Sequence, residues 1–350
     1  MSTPAVVFPE PGEHTAASPP EARGIARDQV RLLVARPDSI THTRFRTITA
    51  HLRPGDVLVV NDSATVAGEL DARLWREGTG HWQVVLHLGS RLDDGTRVIE
   101  LRTAPDARYP VLEAAAGDVV EAGPARLRLL AAYPESGSPT GRGNRLWRAS
   151  VEGDLEQVVA RRGRPIAYGY LNRRYPLSDY QTVFGTRPGS AEMPSAGRPF
   201  TEGLVADLVA RGVLVARVTL HTGLSSQEAG EPPQAEWFEV TEETARLVEG
   251  ARAAGGRVVA VGTTATRALE SAVVEGRLVA RSGWTDRVIT PSDPPHVVTG
   301  LITGWHDPGA SHLLLVEAVA GRALAQAAYD AATAEGYLWH EFGDSALLLP

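Results

Sequence analysis

The strongest local signal for chemistry is a predicted buried strand that runs directly into a helix through Gly262-Thr263-Thr264. Such a junction presents free backbone N–H groups and two hydroxyls to an anion or a polar ligand at the carboxyl end of a sheet strand. Arg267 and Glu270 lie about one turn apart on the helix that follows, so both can point back towards the junction. The pattern predicts a ligand site, although an ordinary strand–turn–helix with a Thr cap has the same pattern.

Two further segments carry side chains that could act on a ligand. Tyr180-Gln181 precedes a stretch of small residues and Pro at Met193 to Gly197, which is typical of loops that pass close to a ligand. His306 precedes a helix predicted from Pro308 and is a candidate acid or base, because imidazole titrates near neutral pH. The alternatives are an ordinary connecting loop and a structural histidine.

The composition limits the chemistry that these residues can perform. The 350 residues include 35 cationic side chains, all of them Arg, and no Cys. Without Lys the chain can build neither a Schiff base nor a Walker A loop. Without Cys it has no thiolate nucleophile, Cys-ligated zinc, iron–sulfur cluster or disulfide. The ten His residues show no H-x-x-x-H spacing, so we predict no metal.

Charge and hydropathy patterns limit the expected partners. The net charge of −7 gives no overall attraction to nucleic acid, but Arg161-Arg162-Gly163-Arg164 and Arg173-Arg174 are local clusters that could clamp phosphates or form a solvated face. No signal peptide or membrane-spanning run is visible, and the lack of Cys fits a reducing compartment. We therefore expect a cytoplasmic monomer or homodimer with no membrane contact.

The elements that must position the candidate residues fall into two patterns. After residue 200 strands and helices alternate, which predicts an α/β main domain with a mainly parallel sheet, assigned to residues 25–68 and 165–350 as the catalytic domain. Between them, residues 69–164 show short strands separated by turns, which predicts an inserted all-β, barrel-like domain. Residues 1–24, rich in Pro, Glu and Ala, predict an extended or disordered N-terminal arm.

Several segments in order along the chain resemble those of one family, the S-adenosylmethionine:tRNA ribosyltransferase-isomerases of queuosine biosynthesis. The matching stretches are Arg53 to Asp62, Tyr180 to Phe184, Val261 to Ser271, Gly283 to Asp286, Gly300 to Thr303 with His306, and Gly343-Asp344. No single stretch is decisive, but the ordered set is specific. The resemblance implies an α/β domain that carries an inserted β-barrel, in agreement with the strand and helix pattern.

The resemblance also implies a reaction. The ribosyl part of S-adenosylmethionine is transferred to the aminomethyl group of a 7-deazaguanine in tRNA and isomerised, adenine and methionine leave, and epoxyqueuosine forms. The sulfonium makes the adjacent C5′ protons acidic, so a positioned base can remove one. Carboxylates or aromatic faces suit the positive sulfonium. No cofactor is expected beyond S-adenosylmethionine as co-substrate.

The matching stretches supply two groups of candidate site residues. The candidate acids and bases are Glu270, Asp286 and His306. The candidate substrate- and S-adenosylmethionine-binding residues are Asp62, Tyr180, Gln181, Thr263, Thr264 and Arg267. Which group removes the proton is left open.

The chain departs from the family pattern at three single positions and over the segment Leu220 to Ser225. Ala64, Pro199 and Gly309 stand where the family usually has Arg, His and Lys, and the side chain of Pro199 can neither donate nor accept a hydrogen bond. Because of these departures, acceptors other than tRNA are kept as alternatives. The alternatives are a divergent S-adenosylmethionine-using transferase acting on a small molecule, and a non-catalytic nucleoside- or RNA-binding relative.

Overall fold

The computed structural model describes residues 3–10, 12–134, 141–225 and 234–350. Numbered along the chain, the strands of this described part are β1 (Arg31–Arg36), β2 (Ser39–Arg44), β3 (Val57–Asn61), β4 (Ser63–Thr65), β5 (Glu69–Arg76), β6 (Gly80–Arg91), β7 (Arg97–Thr103), β8 (Val119–Ala122), β9 (Ala125–Ala132), β10 (Leu146–Glu152), β11 (Arg187–Ser190), β12 (Leu214–Leu220), β13 (Glu236–Val240), β14 (Val258–Val261), β15 (Val273–Val274), β16 (Arg277–Leu278), β17 (Arg281–Thr285), β18 (Gly300–Thr303) and β19 (Ser345–Leu348). The α-helices are α1 (Leu155–Arg162), α2 (Glu202–Ala210), α3 (Glu242–Ala253), α4 (Gly262–Ser271), α5 (His312–Ala320) and α6 (Arg322–Ala334). Among these described helices, none has both the length and the apolarity that a membrane crossing requires.

A large sheet forms the centre of the α/β part, and it is mixed. Its strand order is β17-β13-β12-β3-β14-β18-β19-β1-β2. The neighbours β12, β3, β14 and β18 run parallel, as do β19 and β1. The pairs β17–β13, β13–β12, β18–β19 and β1–β2 run antiparallel. The prediction of a mainly parallel sheet is therefore wrong, because half of the neighbouring pairs are antiparallel. The pair β1–β2 is a hairpin closed by Pro37-Asp38, whereas β18 and β19, like β13 and β17, are antiparallel although helices lie between them in the chain.

Helices cover both faces of this sheet. Successive residues of a strand point to opposite sides, so one strand contributes to both apolar cores. On β3, Val57 and Val59 belong to one apolar core together with α3, α4, α5 and α6. Leu58 and Val60 belong to a second core on the other face, together with α2. The continuous apolar run of β3 therefore reflects burial on two sides.

The strands β5 to β10 form a closed barrel in the order β10-β7-β6-β5-β8-β9, which confirms the predicted barrel-like fold. All its neighbouring strands are antiparallel. On β5, Leu70 and Leu74 point into the barrel core while Asp71 is exposed, as the two-residue period of a strand requires. Leu155 and Val158 of α1 pack against the same core.

The N-terminal segment packs against the α/β part with little regular structure. Val6 and Phe8 are buried, and the Phe8 ring lies 4.6 Å from the ring of Tyr329 on α6. The backbone N–H groups of Ala5 and Val6 each donate to the Glu317 carboxylate of α5 at 2.6 Å. This segment is thereby attached to α5 and α6, while residues 1, 2 and 11 lie outside the described part of the chain.

Candidate active site

A cavity of about 700 Å³ opens next to the carboxyl ends of β14 and β18. Its volume lies within the range of about 300–1,000 Å³ that small-molecule sites occupy. The lining comes from the start of α4, the segment between β18 and α5, the segment before β19, and parts of residues 168–170, 192–196 and 222–225. Because β14 and β18 are parallel neighbours, the segments that follow them meet at one edge of the sheet.

The start of α4 supplies one wall of the cavity. The helix begins at Gly262, which has a φ of +91°, a conformation that side chains disfavour. A Cβ at Gly262 would also lie 3.2 Å from the Ala196 side chain, so glycine allows a close approach. Thr263 and Thr264 are half-buried in the cavity wall, next to first-turn N–H groups that have no partner within the helix. The predicted junction therefore opens into a cavity of ligand size.

Two stacked imidazoles form the neighbouring wall. The rings of His306 and His312 lie 4.8 Å apart and are parallel within 5°. The His306 Nε2 atom lies 3.1 Å from the Thr303 hydroxyl oxygen. Burial lowers the pKa of His306 well below its usual value and that of His312 to about 4, so both rings are neutral at pH 7.

The segment between these two histidines is not the helix that the sequence predicts from Pro308. The helix α5 begins at His312. Gly309 has a φ of +77°, outside the right-handed helical region, and it lines the cavity. The residues before α5 thus form a turn along the cavity wall.

Acidic and tyrosine side chains form another part of the lining, called here the acidic wall. The Tyr168 hydroxyl and the Ser225 hydroxyl donate to the Glu192 carboxylate, and the Ser225 N–H donates to it at 2.9 Å. The Oε1 atom of Glu341 is buried without a hydrogen-bond partner in the described structure, and the nearby Tyr170 hydroxyl favours the charged form of this carboxyl. Burial and then the like charge of Glu192 raise the pKa of Glu341 to about 8.

The backbone that carries Glu341 adopts an unusual conformation. His340 has a φ of +71°, which is rare for a residue with a side chain and which neighbouring contacts must hold. Its ring stacks on Tyr170 at 4.6 Å, and its Nε2 atom lies 3.5 Å from the Asp307 carboxylate. The contacts of His340 therefore hold Glu341 against the cavity from two sides.

Arg267 lines the cavity but is already committed to protein partners. It donates to the Glu236 carboxylate at 2.6 Å and to the carbonyl oxygens of Gln234, Thr285 and Arg287 at 2.7, 2.9 and 3.0 Å. These bonds join α4 to β13 and to the end of β17. Most of its donor capacity is used in this way.

The structure brings four of the nine predicted site residues into the cavity lining. These are Thr263, Thr264, Arg267 and His306. The other five are Asp62, Tyr180, Gln181, Glu270 and Asp286, none of which belongs to that lining.

Three of the five support the strands and loops beside the cavity. The Asp62 carboxylate accepts a hydrogen bond from the Thr219 hydroxyl at 2.6 Å. The Gln181 amide bonds to both the N–H and the carbonyl of Thr65, at 3.2 and 2.8 Å. Tyr180 is buried, with its ring 5.2 Å from that of Phe342.

Glu270 and Asp286 have very different surroundings. Glu270 is fully buried, and its carboxylate accepts the backbone N–H groups of His296, Val297 and Val298 at 2.8, 2.9 and 3.0 Å. Asp286 is exposed just after β17. Glu270 therefore holds the loop before β18.

Sequence reasoning missed the acidic wall, because no spacing links its members. Tyr168 and Tyr170 follow the barrel, whereas Glu192 and Glu341 stand almost 150 residues apart. The one sequence signal for Glu192 and Glu341 was that each lies next to a segment that the sequence analysis had already selected. Glu192 directly precedes the Met193 to Gly197 stretch, and Glu341 lies just before Gly343-Asp344.

The three single-position departures from the family pattern are not clustered, whereas residues 222–225 of the departing segment line the cavity. Gly309 belongs to the cavity lining, whereas Ala64 and Pro199 do not. Pro199 is buried beside a small pocket behind the cavity. The substitutions at positions 64 and 199 therefore do not change a residue of the cavity lining.

The two arginine clusters are divided between structural and exposed roles. Arg164 binds Glu69 and Asp71, and Arg174 binds Glu69. Arg161, Arg162 and Arg173 are exposed. Within the described residues, no group of three or more His, Asp and Glu side chains is arranged to hold a metal ion.

A model of the queuosine biosynthesis protein family matches residues 5–348. The chain belongs to this family. The match spans the α/β part and the inserted barrel, so it does not rest on a single motif. The family resemblance seen in the sequence is confirmed.

Curated relatives and a solved structure agree with this assignment. An S-adenosylmethionine:tRNA ribosyltransferase-isomerase of Pelotomaculum thermopropionicum is 37% identical over 338 residues, which is 92% of this chain and 94% of the relative. The enzyme of the same name from Thermus thermophilus is 36% identical, over 92% of this chain and 93% of the relative. A crystal structure of the S-adenosylmethionine tRNA ribosyltransferase of Thermotoga maritima is 27% identical with a TM-score of 0.53, over 98% of this chain and 99% of that chain. The expectation of an enzyme is thereby confirmed.

Proposed function

We propose that this family member transfers and isomerises the ribosyl part of S-adenosylmethionine onto a 7-aminomethyl-7-deazaguanine in tRNA, releasing adenine and methionine and giving epoxyqueuosine. The observation that carries the proposal is a cavity of ligand size whose lining combines an acidic, tyrosine-rich wall with neutral imidazoles. The relatives that carry this activity in their names match more than nine-tenths of the chain. That extent favours the tRNA reaction over a small-molecule acceptor or a non-catalytic relative.

The charges of the cavity suit the two substrates. S-adenosylmethionine carries a sulfonium, and the aminomethyl group is an ammonium at neutral pH, so the site must bind two cations close together. Neutral His306 and His312 do not repel a cation, whereas imidazolium rings would. Glu192 supplies the compensating negative charge.

The start of α4 suits the anionic end of S-adenosylmethionine. Its first-turn N–H groups and the positive end of the helix dipole favour a carboxylate. Thr263 and Thr264 add hydroxyls at the same place. The methionyl carboxylate would then lie beside Gly262 and the sulfonium nearer to the imidazoles.

Among the three candidate bases, His306 is the one that lines the cavity. A neutral imidazole has a lone pair that can accept the acidic C5′ proton. Its contact with the Thr303 hydroxyl orients the ring. Glu270 is occupied by backbone N–H groups and Asp286 is exposed, so we assign neither of them the proton transfer.

The rim of the cavity has the features of an RNA contact. Arg108 is exposed and belongs to the cavity lining, and the neighbouring Tyr109 is 62% exposed. This loop packs against the segment that carries the exposed Arg173, since a Cβ at Gly169 would lie 2.8 Å from the Arg108 Cα. Arginines bind phosphates, and an exposed tyrosine ring offers a stacking face for an unpaired base.

The test is a product assay. The full chain is incubated with S-adenosylmethionine and tRNA that carries 7-aminomethyl-7-deazaguanine, and adenine, methionine and the modified nucleoside are measured by mass spectrometry. We expect equal amounts of adenine and methionine and a modified tRNA. Tight tRNA binding without product, or a product only with small amines, would contradict the proposal.

A matched variant controls for contaminating enzymes. His306→Gln keeps a hydrogen-bonding side chain but has no basic nitrogen in the physiological range. We expect turnover to fall by about 10²–10⁴-fold, the usual contribution of a general acid or base. Activity at the wild-type level in this variant would remove His306 from its proposed role.

A further inference from the structure

The acidic wall contains an asymmetric pair of carboxylates. Glu192 receives donors from Tyr168 and from Ser225, so its charge is already stabilised. Glu341 has one buried oxygen without a partner in the described structure. One member of the pair is therefore suited to hold a fixed charge, and the other to gain or lose a proton.

We propose that Glu192 and Glu341 form the subsite for a primary alkylamine of the acceptor, and that Glu341 takes the proton of its ammonium group. In this step an N–H bond of the ammonium breaks, its electron pair stays on nitrogen, and an O–H bond forms on Glu341. The nitrogen is left with the lone pair that it needs to attack the ribosyl group. The inference rests on the proposed function, within which it assigns the acceptor chemistry to named residues.

The geometry prepares Glu341 for this exchange. The left-handed backbone at His340, the stack of His340 on Tyr170 and the contact with Asp307 hold the residue before β19 in one position. The Oε1 atom of Glu341 is buried and has no hydrogen-bond partner in the described structure, so it can accept a donor from the ligand. A buried acceptor without a partner is costly, and an N–H of the ligand removes that cost.

The charged and titratable groups around Glu341 influence its pKa. Glu192 and the hydroxyls of Tyr170 and Tyr180 face this region, and burial together with the Glu192 charge raises the pKa of Glu341 to about 8. Arg198 has a smaller, opposite influence, because its guanidinium is bound to Glu21 at 2.8 Å. The pKa of Glu341 thus approaches that of an alkylammonium, which makes proton exchange between them easy.

This arrangement has a measurable consequence. At pH 7 the Glu341 carboxyl and the free alkylammonium each carry one exchangeable proton. The bound pair keeps only one of these two protons, so binding should release about one proton. Near pH 9 Glu341 has already lost its proton, and binding should release almost none. A substrate without the amine gives no such exchange.

Titration calorimetry in two buffers of different ionisation enthalpy measures the released protons. The probes are tRNA with 7-aminomethyl-7-deazaguanine and the same tRNA with 7-methyl-7-deazaguanine, which has the same ring without the amine. The wild type should release about one proton at pH 7 with the first probe only, and bind it at least about tenfold more tightly. Glu341→Gln should abolish the release, while Glu152→Gln, which removes an exposed carboxylate from the end of β10, should not.

The outcomes separate this inference from the proposed function. Product formation with equal binding of the two tRNAs and no proton release would overturn the amine subsite and leave the function standing. Proton release on titration with S-adenosylmethionine instead of tRNA would also overturn it, by assigning the pair to the sulfonium. If neither tRNA binds and no adenine is released, the proposed function itself fails. The comparison of the two tRNAs needs only the wild type, so it does not depend on the folding of a variant. Glu192→Gln should also reduce the preference for the tRNA that carries the amine.

Discussion

Two clusters of glutamates lie near Tyr168, and their surroundings give them opposite properties. In the barrel, Glu69 and Glu100 are completely buried on either side of His87, at 3.0 and 3.3 Å from its ring nitrogens. Four arginines complete this cluster, namely Arg102 and Arg145 on Glu100 and Arg164 and Arg174 on Glu69. Burial alone would raise the pKa of both carboxyls, but the cations outweigh it and both pKa values are lowered.

In the cavity the same residue type lacks such partners. Glu192 is held by a tyrosine and a serine, and Glu341 by a tyrosine. The nearby cations are bound elsewhere, Arg267 to Glu236 and Arg198 to Glu21. Burial therefore prevails, and the pKa of Glu341 is raised.

Tyr168 connects the two clusters. Its ring lies edge-on to His87 at 5.6 Å and beneath the Arg102 guanidinium at 4.9 Å, while its hydroxyl donates to Glu192. The comparison shows that burial does not by itself decide the role of a glutamate. A carboxylate surrounded by cations keeps its charge and is costly to neutralise, and one surrounded by neutral donors is available to a cationic ligand.

The largest effect should come from breaking the barrel cluster. Glu100→Gln removes a buried charge that pairs with Arg102 and Arg145, and it should lower the free energy of unfolding by about 3–5 kcal/mol. Denaturant titration of the full chain measures this. Glu121→Gln, which breaks an exposed pair with Arg126, is the matched control and should cost at most about 1 kcal/mol. Equal losses in the two variants would show that the barrel cluster is not structural.

A smaller effect of opposite sign is expected in the cavity. Because the pKa of Glu341 is raised from 4.5 to about 8 on folding, the folded wild type binds the proton more tightly and loses stability as the pH rises between these values. Glu341→Gln has no proton to lose. It should equal the wild type most nearly at pH 4 and exceed it at pH 9. The full rise in pKa corresponds to about 5 kcal/mol, and because Glu341 is only half-buried we expect solvent screening to reduce this to about 1–3 kcal/mol. Parallel stability curves from pH 4 to pH 9 would contradict the raised pKa.

The smallest effect concerns the side chain that connects the clusters. Tyr168→Phe keeps the ring between His87 and Arg102 but removes the donor to Glu192. We expect the KM for the acceptor tRNA to rise by about 3–10-fold, while the free energy of unfolding changes by no more than about 1.5 kcal/mol. Tyr175→Phe, whose hydroxyl bonds to Asn172 instead, should leave that KM unaltered. If both variants alter the KM equally, the hydroxyl of Tyr168 has no specific role in acceptor binding.

Short-range patterns in the sequence predicted much of the fold. The apolar run Val57 to Val60 depends only on local burial of a strand on both faces, so this strand is recognisable from its own residues. The junction at Gly262 was predictable for the same reason, since a helix start follows directly from the preceding strand. Strand direction was not, because antiparallel neighbours such as β18 and β19 are separated by two helices.

The sequence by itself therefore determined the two architectures, the family and one wall of the cavity, all of which depend on neighbouring residues or on ordered motifs. Only the tertiary structure decided which carboxylates are paired and which are available. Glu69, Glu100 and Glu341 look alike in the sequence, and their pKa values depend on burial and on charges brought close by distant segments. Electrostatic interaction depends on distance in space, so the raised pKa of Glu341 could be recognised only in the folded chain.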